Sequence, residues 1–292
     1  MTWLTFALIA CLASCGVIEV TRKSKLDGYE ALLYRSIIVG FLLLPFVMYM
    51  AWPTDPKFYL MTGATSFIYA WGNIVLADLA ARRNGRVATM FQPLMIFATF
   101  LVWLALNPAQ VTTLTEDPQE MGLTLACFAF LMLALHFIRR NDYAWKSLLT
   151  VAPIALGYAL VNVMQKWFID GSGQGGIGLI LAIIMIGNFG MVAVLPFLSR
   201  YRVHTDELKI THLPVFPIIP LVAIALLHMT SWGSLLHAMQ IAENPAYPVA
   251  IMALTPVVFQ VYYWIRGWRD QASPVAGAVM ALSALALGLT HA

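Results

Sequence analysis

Apolar runs of roughly 20 residues alternate with short polar breaks along the whole chain, and a helix crossing a bilayer core needs about that length. The alternation predicts ten helices, over 3–20, 31–51, 58–80, 87–106, 121–138, 147–168, 176–198, 214–236, 247–265 and 273–290. The breaks carry turn chemistry, as in Trp52-Pro53-Thr54-Asp55-Pro56, Arg83-Asn84-Gly85, Glu116-Asp117-Pro118 and Asn244-Pro245. None is long enough to hold a soluble domain. The predicted class is all-α, a polytopic membrane protein.

Polar residues inside these runs recur at helical spacing. Thr62, Ser66, Tyr69 and Asn73 form one stripe on the third run, and Tyr158, Asn162 and Gln165 another on the sixth. Polar side chains are costly in a bilayer and face a bundle interior or a wet cavity. Two readings stay open: a solute-binding wall, or hydrogen bonds that join helices. The same choice applies to Asn188 in the seventh run and His228 in the eighth. His228 could also titrate near neutral pH. Trp71 and Trp232 are aromatic candidates, because ring faces bind flat or cationic ligands. Trp71 lies nearer mid-run. Trp3, Trp52, Trp145, Trp167 and Trp268 sit near run ends, as an interfacial belt would.

Composition sharpens the class. Of 292 residues, 61% are apolar and 11% charged, against about 25% charged in soluble domains. Mean hydropathy is +0.79. These values exclude a soluble enzyme, a disordered chain and a nucleic-acid binder. Cys11, Cys15 and Cys127 all lie in apolar runs, so they are expected as packing residues rather than disulfides or metal ligands. The start, Met1-Thr2-Trp3, has no basic segment, so a first membrane helix is expected in place of a cleaved leader, despite the lipoprotein-like Leu12-Ala13-Ser14-Cys15.

Charge position predicts orientation. Of 17 lysines and arginines, 14 lie in breaks after odd-numbered runs; only Lys57, Lys166 and Arg35 lie elsewhere. Positive loops stay cytoplasmic, so both termini are expected outside an inner (plasma) membrane. Glu19 is the acid inside the first run. It could bind a cation or carry a coupling proton, or it could pair with Arg22 or Lys23. Asp78 is placed to pair with Arg82. Gly171-Ser172-Gly173-Gln174-Gly175-Gly176 matches a nucleotide-binding pattern but follows no strand. No cofactor, metal site or catalytic residue is expected.

Two segments read alike. One runs Arg83-Asn84-Gly85-Arg86-Val87-Ala88 to Gln92-Pro93-Leu94, the other Asn244-Pro245-Ala246-Tyr247-Pro248-Val249-Ala250 to Thr255-Pro256-Val257. Each opens a run, five runs apart. Five is odd, so the halves 1–140 and 141–292 would insert in opposite senses, the inverted repeat of alternating-access transporters. Pro93 and Pro256 are hinge candidates, since proline frees a carbonyl and kinks a helix.

With Ala31-Leu32-Leu33-Tyr34-Arg35 and Ala276-Gly277-Ala278, these stretches resemble the drug/metabolite transporter superfamily in its ten-helix, EamA-like form. The resemblance implies two inverted five-helix repeats around a central cavity lined by runs three and six. It implies a secondary transporter or facilitator, with export favoured. The expected solute is small and neutral or zwitterionic, such as an amino acid, with protons as a possible coupling ion. The candidate site is Tyr69, Trp71, Asn73, Gln92, Tyr158, Asn162, Gln165, Asn188 and His228. One alternative is an organic cation held by Glu19 and aromatic rings. Another is a non-transporting scaffold.

Overall fold

The computed structural model describes residues 2–24, 28–50, 52–82, 91–138, 145–171, 176–198, 218–267 and 273–291. Outside them lie Lys25, Arg83, Arg86, Arg139, Arg140, Arg200, Arg202, Lys209, Arg269, Pro214, Pro217, the run 172–175 and the 83–90 part of the first repeat segment. The side chains of Asp78, Arg82, Trp145 and Lys146 are also outside the description.

The described residues are helical, with no strand among them. The helices are α1 (Trp3–Ser24), α2 (Gly28–Met48), α3 (Pro56–Arg82), α4 (Gln92–Leu106), α5 (Pro108–Glu116), α6 (Pro118–Ile138) and α7 (Trp145–Gly171). After them come α8 (Ile177–Leu198), α9 (Ile218–Ile241), α10 (Ala246–Ile251), a 3-10 turn (Met252–Leu254), α11 (Thr255–Ile265) and α12 (Pro274–Thr290). Each predicted run is mainly helical where it is described, with Tyr49, Met50, Phe91, Gly176 and Ser273 outside the helices.

Among the described residues, five helical stretches are long and apolar enough to cross a membrane: α1, α2, α8, α9 and the continuous stretch Ala246–Ile265. Helices α3 and α7 are longer, at 27 residues each, but carry the polar stripes. Large apolar side chains point outward, including Leu60, 76% exposed, and Ile219, 83% exposed. Water does not tolerate an apolar surface of this extent, whereas lipid does. The chain is a membrane-embedded helical protein by these criteria.

Helix starts follow from local chemistry. Pro56, Pro108, Pro118 and Pro274 each occupy a first helical position, where the missing N–H costs nothing. Asp55 accepts from the Lys57 N–H at 2.9 Å, and Asp117 from the Gln119 and Glu120 N–H groups at 2.9 and 3.1 Å. Ser273 accepts from the Ala276 N–H at 3.4 Å. Gly267, with φ of +70°, ends α11 in a conformation that side-chain-bearing residues avoid.

Residues 108–116, inside a predicted break, form α5, turned 105° from α4. Asn107 sits at the corner, its amide donating to the Trp103 carbonyl at 3.0 Å. Pro108 stops one helix and starts the next, and only the stop is visible as a break.

Helix α1 lies along α9, α2 and α3 lie against α8, α4 against α7, and α6 against α12. Polar groups fasten several of these contacts. The Ser231 hydroxyl donates to the Ala10 carbonyl at 2.9 Å, joining α9 to α1. The Ser66 hydroxyl reaches the Gly187 carbonyl at 3.1 Å, joining α3 to α8.

At the N-terminal end of α1, the Trp3 indole donates to the His291 carbonyl at 2.8 Å. The His291 ring stacks on Tyr247 at 3.9 Å and 8°. Its Nδ1 meets Glu120 at 3.1 Å and its Nε2 meets Thr124 at 2.9 Å. Burial pushes this imidazole below its ordinary value, outweighing the pull of Glu120 and Glu243. The folded protein therefore takes up the proton less readily than the unfolded chain. The cluster contributes fully above about pH 6.5 and loses strength as pH falls through and below that value. The melting temperature of detergent-purified protein is expected to drop between about pH 8 and pH 5.5, and to drop less in His291→Gln. An equal drop in both would remove His291 as the cause.

Candidate solute cavity

A cavity of about 210 Å³ lies among α1, α2, α3, α4, α7, α8, α9 and α10. Its walls include Tyr69 and Asn73 from α3, Gln92 from α4, Tyr158 and Asn162 from α7, and His228 and Trp232 from α9. Most of the remaining wall is apolar, with Leu32, Met95, Met191, Leu235, Val249 and Met252. Ser14, Val17, Ile18 and Thr21 come from the C-terminal half of α1, and Ala31 and Arg35 from the start of α2. The cavity thus leans toward the membrane face where α1 ends and α2 begins.

Five rings follow one another around it. Phe91 meets Tyr158 at 5.5 Å, Tyr158 meets Tyr69 at 5.0 Å, Tyr69 meets Trp232 at 5.1 Å, and Trp232 meets His228 at 5.5 Å. These separations are those of attractive tilted and edge contacts. Two rings rest on glycines. A Cβ at Gly72 would stand 2.7 Å from the Tyr158 ring, and one at Gly187 2.7 Å from Cη2 of Trp232. Only residues without side chains let these rings lie so close to α3 and α8.

Several polar atoms on the wall have no partner within the protein: Nε and Nη2 of Arg35, Oε1 of Gln92, Oη of Tyr158, Nε2 of His228 and Nε1 of Trp232. Buried polar groups are nearly always paired, so a group left open marks a place for water or a ligand. Other wall groups are engaged. The Asn73 amide donates to the Tyr69 carbonyl at 2.7 Å, and the Asn162 amide to Thr99 at 3.4 Å.

Of the residues singled out in the sequence, Tyr69, Asn73, Gln92, Tyr158, Asn162 and His228 meet at this wall. The third-run stripe divides in two. Thr62 and Ser66 bond to the Phe58 and Thr62 carbonyls of their own helix, with Ser66 also reaching α8, while Tyr69 and Asn73 face the cavity. Gln165 lies off the wall and accepts from the Tyr69 hydroxyl at 3.4 Å. Asn188 is fully buried inside α8, donating to the Ile184 carbonyl at 2.8 Å. Trp71 packs against the core away from the cavity, because two residues from both Tyr69 and Asn73 is nearly the opposite side of a helix. Trp232 takes the place at the wall expected for Trp71.

Glu19 also lies off the wall. Arg22 grips it through Nε and Nη2, both at 2.8 Å, Lys23 stands 3.3 Å away, and the Tyr262 hydroxyl donates to it at 3.0 Å. Pro93 falls in the first turn of α4, and Pro256 in the first turn of α11, just past the 3-10 turn. Pro93 thus stands at a helix start, whereas Pro256 lies within the continuous stretch Ala246–Ile265, where the helix tightens to a 3-10 turn just before it.

Arg35 is the wall residue that the sequence placed in a run without assigning a role. Its signal was its position, a lone cation inside an apolar run.

No family profile matches the sequence, and no curated protein matches it. Solved structures do match. One crystal structure, of a protein with no stated activity, covers 99% of this chain and 97% of its own at a TM-score of 0.60 and 13% identity. The whole-chain architecture is therefore one already seen in a crystal, and the likeness extends to the fold alone.

Proposed function

We propose that the protein is a secondary transporter moving a small organic solute by alternating access, of the kind found in the drug/metabolite superfamily. The observation that carries this reading is the cavity itself, built from α1–α4 and α7–α10 and lined by rings and unpartnered polar atoms. A scaffold has no use for such a chamber.

In this reading the ten helical runs are ten spans, in two inverted halves, 1–140 and 141–292. The packing supports it. Contacts α2–α8 and α6–α12 each join a run to the run five later, and α1–α9 has its symmetric counterpart in α3–α7. The loop charges put both termini on the outer side of an inner membrane, with the cavity leaning inward. Protons are the proposed coupling ion. The organic-cation alternative loses its anchor, because Glu19 is already held by two cationic side chains.

Solute flux into proteoliposomes, run over a panel of small carboxylates, amino acids and amines, tests the reading. Flux of at least one solute is expected. Asn162→Ala and Trp232→Ala are expected to lower it about tenfold or more, the cost of losing one buried contact of roughly 1.4 kcal/mol. Trp71→Ala is expected to leave it near the wild-type rate. A panel that yields no flux, with no solute raising the melting temperature, would falsify the proposal.

A further inference from the structure

We propose that the cavity holds its solute by a carboxylate on Arg35, and that the solute class is a small organic monoanion with an apolar or aromatic body. The inference rests on the transport reading of the same cavity and narrows what it carries.

Arg35 is 6% exposed, lines the cavity, and has no hydrogen-bond partner at Nε or Nη2. Those two donors form one edge of the guanidinium, the edge that takes both oxygens of a carboxylate at once. Arg22 uses the same two atoms to grip Glu19, at 2.8 Å each. Arg35, a residue of the cavity wall, leaves the equivalent fork buried and without a partner. A cation inside a membrane protein is normally paired or in contact with a transported ion. Among the described residues that line the cavity there is no aspartate or glutamate to pair with it.

The remaining wall selects further. With Arg35 the one fixed charge among the described wall residues, a single negative charge is matched and a phosphate dianion is not. The absence of a carboxylate there also leaves the ammonium of an amino acid without a counter-charge. Phe91, Tyr158, Tyr69 and Trp232 offer ring faces and edges to an aromatic or apolar body, and Leu32, Met95 and Met252 complete the apolar wall.

The test is binding to detergent-purified protein by calorimetry, with phenylacetate, its uncharged isostere phenylacetamide, phenylalanine and phenyl phosphate as probes. Phenylacetate is expected to bind about tenfold or more tightly than phenylacetamide, and more tightly than the other two probes. Arg35→Gln is expected to erase the preference over the amide. Arg35→Lys, which keeps the charge without the fork, is expected to retain part of it. Equal binding of acid and amide by the wild-type protein overturns the proposal without any variant. So does tighter binding of phenyl phosphate or phenylalanine, or a preference that survives Arg35→Gln. Carboxylate binding without flux supports this site and sinks transport; flux of uncharged solutes alone does the reverse.

Discussion

Gly187→Val is expected to reduce solute flux by about tenfold or more while the protein still folds. A Cβ there would stand 2.7 Å from Cη2 of Trp232, closer than carbon atoms approach one another. The backbone of α8 is held by its neighbours, with Gly187 accepting from Ser66. The ring is therefore the part that yields, and the space beside it is the cavity. Overpacking costs about 1–3 kcal/mol in a filled core. Here an adjoining void lowers the cost to stability and transfers the effect to the site. Gly233→Ala is the control, since its Cβ would meet Ile184 at an ordinary 3.5 Å. Trp232→Phe, introduced beside Gly187→Ala, should recover flux relative to Gly187→Ala alone, because the shorter ring clears the added methyl. Wild-type flux in Gly187→Val would sink the argument.

The second large effect is expected at Glu19. It ties the C-terminal end of α1 to Tyr262 of α11 and neutralises Arg22 and Lys23. One turn earlier on α1, Cys15 is packed against Phe259 and Tyr263. Glu19→Gln removes the charge that holds these groups together, and charge-assisted hydrogen bonds contribute about 1.5–3 kcal/mol each. The end of α1 should then lift from α11. In a Cys11→Ser/Cys127→Ser background, Cys15 is expected to react with a membrane-permeant maleimide about tenfold faster, with Tyr262→Phe giving a smaller rise. If Glu19 instead carries the coupling proton, Glu19→Gln would abolish proton-driven flux and leave Cys15 labelling unchanged. The two outcomes separate a tie from a relay.

What the sequence revealed and what it hid both have physical causes. Apolar length located the helices, because a bilayer core imposes it. Spacing located Tyr69 with Asn73 and Tyr158 with Asn162, because helical period fixes which residues share a side. Period does not say which side meets a neighbour and which meets a void, so Ser66 and Tyr69 read alike although one fastens α8 and the other lines the wall. Trp71 was favoured on depth alone, and angle decided against it. Arg35 entered as a counted charge and as part of the Ala31–Arg35 resemblance, with no place in the expected site. Its meaning depends on Tyr158, Phe91 and His228, which arrive at the same cavity from three other helices. Helix α5 was concealed by Pro108, whose role as a starter looks the same in sequence as its role as a breaker.

The attachment of α1 has a mechanical consequence. The helix is bound at its first turn to the His291 carbonyl, at its last to Tyr262, and along its length to α9. All three partners belong to the other sequence half. Helix α7 is exchanged in the opposite direction, packing chiefly on α4 and α3. In the proposed repeat each half has thus lent its first helix to the other. A cut through the chain at residue 140 would therefore leave α1 and α7 each attached to the opposite fragment, with α2 and α3 still bound to α8 and α6 to α12.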